Sequence, residues 1–276
     1  MTDAGTARGS DERVSSRMES LVRLIRSLLY TAWLFLGTGL YACMLLLIFW
    51  APTRVLYRLT DNWARSQMWM LRALCGLSYS VEGRENIPPG AHVSMWKHSS
   101  AWETIAQAAI FPPQSWVLKR ELIWIPFVGW AIWRLRPIAI NRKSGATAVN
   151  QVVEQGTRRL ASGYWILIFP EGTRVGPGET RKYGVSGALL ASRAGCKIVP
   201  VAHNAGYFWP RRGWLKRPGQ IRVMIGPAID AAGRDPRELN AEVRAWIESA
   251  MARLDPKPSA TPQQSPAETT VSVQQT

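Results

Sequence analysis

Between Ser27 and Thr53 the chain carries no charged residue, and the centre of this stretch reads LLYTAWLFLGTGLYACMLLLIFWAP. Roughly 20 apolar residues suffice to cross a bilayer as a helix, and a buried helix of this length without a charge is unusual in a soluble protein. The run is too long and too far from the start for a plain signal peptide, and no small-x-small cleavage site follows it. Residues 19–60 are therefore expected to anchor the chain in a membrane, as a helix or a hairpin. Arg17, Arg23 and Arg26 flank one side; Arg54, Arg58 and Arg65 flank the other. The positive-inside rule puts both flanks in the cytoplasm. A re-entrant hairpin bent near Gly37 and Gly39 satisfies this, whereas a single span leaves one basic flank outside. The expectation is a protein of the inner (cytoplasmic) membrane with its main domain on the cytoplasmic side; spanning stays open.

The remainder divides by composition. Residues 1–18 are polar and expected to be flexible. Residues 255–276, rich in Pro, Gln, Ser and Thr, read as a disordered tail. Residues 61–254 are long enough for one sizeable core. Short Val- and Ile-rich runs there, bounded by Gly, Pro or Asn, mark strands at Ala91–Trp96, Ser115–Leu118, Pro137–Ile140, Trp165–Phe169, Ile198–Ala202 and Ile221–Ile225. Between them lie helical patterns. Val149, Val152, Val153, Gly156 and Leu160 share one face at the 3.6 period. Asp235 and Pro236 open a last helix with the stripe Leu239, Val243, Trp246, Ile247 and Met251. Alternating strands and helices predict a single α/β domain, a central mixed sheet flanked by helices.

The chain has 34 Lys and Arg against 19 Asp and Glu, a net charge of +15, and almost all of the excess lies in the folded part. Such a surface suits anionic partners: a membrane, phosphorylated substrates or nucleic acid. No nucleic-acid motif accompanies the charge, and the apolar run argues against that partner. Cys43, Cys75 and Cys196 are odd in number and scattered, without disulfide or zinc spacing, which suggests a reducing compartment. His92 and His203 sit at strand ends, also without metal-ligand spacing, so no metal is expected. The mixed aromatic and basic stretch from Tyr207 to Arg217 either touches an anionic membrane surface through Trp209 and Trp214 or is a solvated loop.

Four clusters carry chemistry. In Trp96-Lys97-His98-Ser99-Ser100-Ala101-Trp102-Glu103, a strand hands over to a helix, and His98 lies in the turn at the carboxyl end of the strand, where open α/β sheets place their sites. Glu103 can fold back to the imidazole, fix its tautomer and stabilise the imidazolium, leaving the other nitrogen to take a proton from a hydroxyl. Alternatively, Ser100 and Glu103 are a capping box, and Glu103 merely accepts the N–H of Ser100. The second cluster, Phe169 to Arg174, follows another strand: Gly172 permits an unusual turn, and Thr173 and Arg174 offer donors suited to phosphate. The third joins Lys119 and Arg120 to Glu121, Leu122, Pro126 and Gly129: two cations for an anion, or a loop in which Glu121 pairs locally. The fourth is Val199-Pro200-Val201, an apolar strand whose proline otherwise suggests a sheet edge.

Together and in this order, the clusters resemble the four blocks of the 1-acylglycerol-3-phosphate acyltransferase family: H-x4-D, K-x-E-L-x3-P-x2-G, F-P-E-G-T-R and a V-P-V strand. The resemblance covers about residues 80–230 and implies a glycerolipid acyltransferase-like fold. It departs in one place, Glu103 standing where the family usually has Asp. It implies that His98 is the general base toward the hydroxyl of a lysophospholipid, oriented by Glu103. Lys119 and Arg174 would bind phosphate, with Arg120 a weaker candidate; Glu171 and Gly172 would shape the pocket, with Thr173 among the substrate-binding residues; Pro200 would lie beside the acyl or acceptor site. Acyl-CoA or acyl carrier protein would serve as co-substrate, with no further cofactor. Without a G-x-S-x-G elbow or an activated Cys, transfer is expected to be direct, with no acyl-enzyme. Other acceptors, another lysolipid or a glycolipid intermediate, remain open, as does a non-enzymatic membrane scaffold.

Overall fold

The structure is a computed structural model that describes residues 4–254; the tail expected at 255–276 lies outside the described residues. Helix α1 runs from Ala4 to Leu47 and α2 from Thr53 to Cys75. Residues 4–18, expected to be flexible, belong to α1: they contain no proline, and the helix of the apolar run propagates back through them. The apolar run does not bend at Gly37 or Gly39. The chain reverses instead at residues 48–52, and α1 and α2 pack as an antiparallel pair, with Tyr41 stacked on Trp63 at 5.4 Å. Gly37 faces α2: a Cβ there would stand 2.8 Å from the Gln67 side-chain amide nitrogen. Helix α2 continues through residue 60 without a break, so the sequence-based boundary between anchor and domain falls inside it.

The strands are β1 (Leu77–Glu82), β2 (Val93–Trp96), β3 (Gln114–Lys119), β4 (Ile138–Ile140), β5 (Trp165–Ile168), β6 (Lys197–His203), β7 (Gly219–Ile225) and β8 (Ile229–Asp230). They form one mixed sheet in the order β1-β7-β6-β2-β5-β3-β4, with β8 paired to β6. Strands β2 to β6 are mutually parallel where they pair; β6 meets β7 and β8 antiparallel. The expected α/β fold is present.

Alternation along the strands builds two cores. Trp96, Trp165, Leu167, Val199 and Val201 face one side, where α2 and α3 (Glu103–Ile110) pack. Met95, Ile166, Ile168 and Ile198 face the other, against α5 (Ala146–Ala161), α6 (Ser186–Ala194) and α8 (Pro236–Leu254); α4 (Val128–Arg134) precedes these and the short α7 (Ala205–Phe208) lies between α6 and α8. The expected cap of α8 is made, Asp235 Oδ1 accepting from the N–H groups of Arg237 and Glu238 at 2.7 and 3.1 Å. Pro200 is not at an edge. Strand β6 is interior, and Pro200 falls where its outer partner changes from β8, at Lys197 and Ile198, to β7, from Val201 onward. A residue without an N–H costs the ladder least at such a change of partner.

A third apolar cluster joins α1 and α2 to α4 through Ala42, Leu45, Leu56, Ala131 and Leu135. The stretch Ser16–Leu47 of α1 is long and apolar enough to cross a membrane, and only 17% of its most apolar window is buried by protein. The aromatic and basic stretch divides. Trp209 is buried with its ring edge against Tyr30 of α1, at 5.6 Å, so it is no membrane contact; Trp214 is exposed. Lys216 is buried too. Its ammonium lies 4.9 Å above the Trp209 ring and donates to Thr31 Oγ1 at 2.5 Å, while its N–H donates to Ser27 Oγ at 2.9 Å. This stretch clamps α1 to the sheet domain. Replacing Lys216 with alanine should lower the melting temperature by several degrees in detergent micelles, and an unchanged melt would contradict the clamp.

Candidate active site

Strands β2, β5 and β3 are neighbours and parallel, so their carboxyl ends share one edge of the sheet. The sequence places His98, the Phe169–Arg174 turn and Lys119 at those three ends. His98 lies two residues past the end of β2, after Lys97, and Glu103 is the first residue of α3. His98 Nδ1 and Glu103 Oε1 are 2.8 Å apart. The same oxygen accepts the N–H groups of Ser99 at 2.9 Å and Ser100 at 2.8 Å, and Oε2 takes a longer bond of 3.1 Å from Ser100. Both sequence alternatives leave a trace in one arrangement: the carboxylate accepts the N–H groups of Ser99 and Ser100 in the turn ahead of α3, without closing a full capping box, and grips the imidazole. Burial opposes ionisation of Glu103, but the imidazoles of His203 and His98 and the Ser100 N–H outweigh it, and its pKa is lowered. An ionised Glu103 accepts a hydrogen bond from the Nδ1–H of His98, which in the neutral imidazole leaves Nε2 as the acceptor.

Phe169 stacks on the His98 ring with centroids 4.1 Å apart and planes at 18°. The Val175 N–H donates to the His98 carbonyl at 2.8 Å, tying the Phe169–Arg174 turn to the histidine turn. Gly172 holds φ +66, the left-handed geometry this turn needs and a β-branched residue resists. Phe169 and Arg174 open onto a cavity of about 300 Å³. It runs between α3 and Trp116 of β3 on one side and Tyr41 and Leu45 of α1, Trp63 of α2 and Leu135 at the end of α4 on the other. Its lining is mostly apolar, with Arg174 as its cation and the His98 imidazole behind the Phe169 ring.

Not every expected residue lies there. Lys119 and Arg120 are exposed, and Lys119 pairs with Glu121 at 3.2 Å, the local pairing noted as the alternative. Arg120 lines a separate depression with Trp124, Trp130 and Trp133. Pro200 is buried beside Gly226 and Trp246. Thr173 is half-buried beside Arg174. Glu171 is buried next to the site rather than open to it. Lys97 Nζ stands 3.5 Å from Glu171 Oε1 and 2.9 Å from Glu248 Oε1 on α8, and Tyr183 donates to that same Glu248 oxygen at 2.9 Å. One ammonium between two carboxylates leaves a net negative charge if both are ionised. Burial pushes the Glu171 carboxyl up to about 7, against the opposing pull of Lys97. Lys97 and His203 escape sequence reasoning, because their partners are brought in by the fold.

A raised carboxyl pKa means that the native state binds more protons than the unfolded chain between 4.5 and about 7. Stability should therefore rise as pH falls through that window, by roughly 3 kcal/mol from this group. Glu171→Gln should flatten that part of the profile in denaturant titrations, and an unaltered slope would assign the protons elsewhere.

A model of the acyltransferase family matches residues 78–204, the stretch that contains both the His98–Glu103 pair and the Phe169–Arg174 turn. A 1-acyl-sn-glycerol-3-phosphate acyltransferase of Pseudomonas aeruginosa is 44% identical over 244 residues, spanning 86% of this chain and 94% of the relative. The enzyme of that name from Salmonella typhimurium is 31% identical over 173 residues, 60% of this chain and 69% of its own length. The crystal structure of a 1-acyl-sn-glycerophosphate acyltransferase from Thermotoga maritima superposes with a TM-score of 0.71 at 22% identity, covering 86% of this chain and 99% of that one, and corroborates the fold. The chain belongs to the 1-acyl-sn-glycerol-3-phosphate acyltransferase family.

Proposed function

We propose that the protein moves a fatty acyl group from the thioester of acyl-CoA or acyl carrier protein to the sn-2 hydroxyl of 1-acylglycerol-3-phosphate, yielding phosphatidic acid. The observation that carries this reading is the 2.8 Å contact of His98 Nδ1 with a buried, ionised Glu103, beside an apolar cavity lined by the Phe169 ring that stacks on His98. With Nδ1 held, Nε2 takes the proton as the acceptor oxygen attacks the thioester carbonyl. The C–O bond forms, the tetrahedral centre collapses, and the thiolate leaves with the proton His98 returns. A positioned base of this kind supplies about 10²- to 10⁴-fold; the orientation of two substrates supplies more. The cavity suits an acyl chain, and Arg174 in its lining suits the acceptor phosphate. A protein held at the bilayer through α1, with the sheet domain on the cytoplasmic side, would draw its acceptor from the membrane and its donor from the cytosol.

The test is an assay of the purified protein in detergent with labelled acyl-CoA or acyl carrier protein and a panel of lysolipids. Turnover that favours lysophosphatidate over neutral or zwitterionic lysolipids supports the reading, and indifference to the phosphate overturns it. Arg174→Ala should raise KM for lysophosphatidate about tenfold or more while changing kcat little, as loss of a charged hydrogen bond in the ground state does. Lys119→Ala should do less, because Lys119 is solvated and already paired with Glu121. A larger effect at Lys119 would move the phosphate site toward β3.

A further inference from the structure

His203 ends β6 and is fully buried. Its ring is walled by Trp102 and Trp96, with centroids at 5.8 and 6.3 Å. Nδ1 accepts the Ala205 N–H at 3.3 Å, so Nε2 carries the proton, and it donates to the Lys97 carbonyl at 2.8 Å. Burial lowers the pKa of this imidazole, in keeping with a neutral ring. From the same position Nε2 stands 3.8 Å from Glu103 Oε2. The two Glu103 oxygens are unequally served. Oε1 receives three donors, His98 Nδ1, Ser99 N and Ser100 N; Oε2 receives a single longer bond from Ser100. On the Oε2 side stands His203, in electrostatic reach of the carboxylate while its proton is directed to the Lys97 carbonyl. A carboxylate one methylene shorter would be drawn back toward the head of α3 and away from β6.

We propose that His203 is a positioning residue of the acyl transfer: its Nε2–H holds the carbonyl that precedes His98 and faces the second oxygen of Glu103, setting the orientation in which the carboxylate grips the imidazole. The longer Glu side chain and the buried histidine then work as a matched pair. The inference rests on the reading of His98 and Glu103 as the base and its orienting acid, and it goes further by tying both to a strand that carries no residue of the catalytic turn.

The experiment compares His203→Leu, His203→Gln and His203→Asn with Glu103→Asp, alone and combined with His203→Leu, and with His98→Ala, all as full chains in detergent. For His203→Leu the expected result is a fall in kcat of about 10-fold, with KM for both substrates within about twofold. His203→Gln, whose amide can still donate, should recover most of the loss. In the Glu103→Asp background His203→Leu should cost less than about threefold more, because the contact is already broken. A kcat for His203→Leu within about twofold of wild type, a Gln variant no better than Leu, or full multiplication of the two losses would each overturn the proposal. Should His203→Leu fail to fold, His203→Asn takes its place: its shorter amide falls short of Oε2, and a wild-type kcat there overturns the proposal equally. High turnover by His98→Ala would instead sink the underlying reading, whatever the His203 variants do.

Discussion

Replacing His98 with alanine should lower kcat by about 10³-fold, as expected for loss of a positioned general base, while the protein still melts cooperatively. The separation of these effects follows from the way Glu103 is held. Without the imidazole, its carboxylate keeps the N–H groups of Ser99 and Ser100. The turn thus retains its cap, and the stability cost should stay below about 2 kcal/mol. Circular dichroism and thermal melts in the assay detergent provide the control. Turnover within about tenfold of wild type would show that some other group removes the proton.

The second large effect is on stability. Lys97→Met should destabilise the protein by about 3–5 kcal/mol, the usual consequence of removing one partner from a buried ion pair. Lys97 is the single ammonium between Glu171 and Glu248, and it also donates to the Glu179 carbonyl at 3.3 Å. Its loss strands two carboxylates beside the Tyr183 hydroxyl. The sign of the pH dependence distinguishes this from a packing defect. Protonation of Glu171, which already sits near 7, removes the uncompensated charge. The deficit of Lys97→Met should therefore shrink as pH is lowered from 7 toward 5. A pH-independent deficit in denaturant melts would point to lost volume instead. Because the Lys97 backbone accepts from His203 and its neighbour is His98, some loss of activity in the folded variant is expected as well.

Much of this architecture is legible along the chain, for identifiable reasons. Six strands announce themselves as short β-branched runs between turn residues, and the α8 cap is visible in Asp235 and Pro236. Strand β1 is not, because Leu-Ser-Tyr-Ser-Val-Glu is mostly half-exposed and becomes a strand only through its register with β7. The reversal at residues 48–52 was obscured by the two glycines inside the run. A glycine weakens a helix in water, but Gly37 faces α2 and leaves room for the buried Gln67 amide, a contact invisible in one dimension. At the site, His98 and Glu103 are five residues apart and their meeting is a local matter. Lys97 and Glu248 are 151 residues apart, and only the sheet order brings them together. His203 looks like an ordinary strand terminus until β6 is laid beside β2. Trp209 misleads in the opposite direction, since an aromatic beside arginines suggests a bilayer surface and here fills the core beneath α1.

The cavity next to His98 has one wall made of Tyr41, Ala42 and Leu45, residues of the same helix whose other faces expose apolar side chains and which is long and apolar enough to cross a membrane. Shortening the protein to obtain a freely soluble catalyst would thus do more than cut a tether. It would unroof the chamber proposed to shelter the hydrocarbon tail, so that water reaches the thioester and the chain-length selectivity set by the chamber's depth is lost along with the mooring.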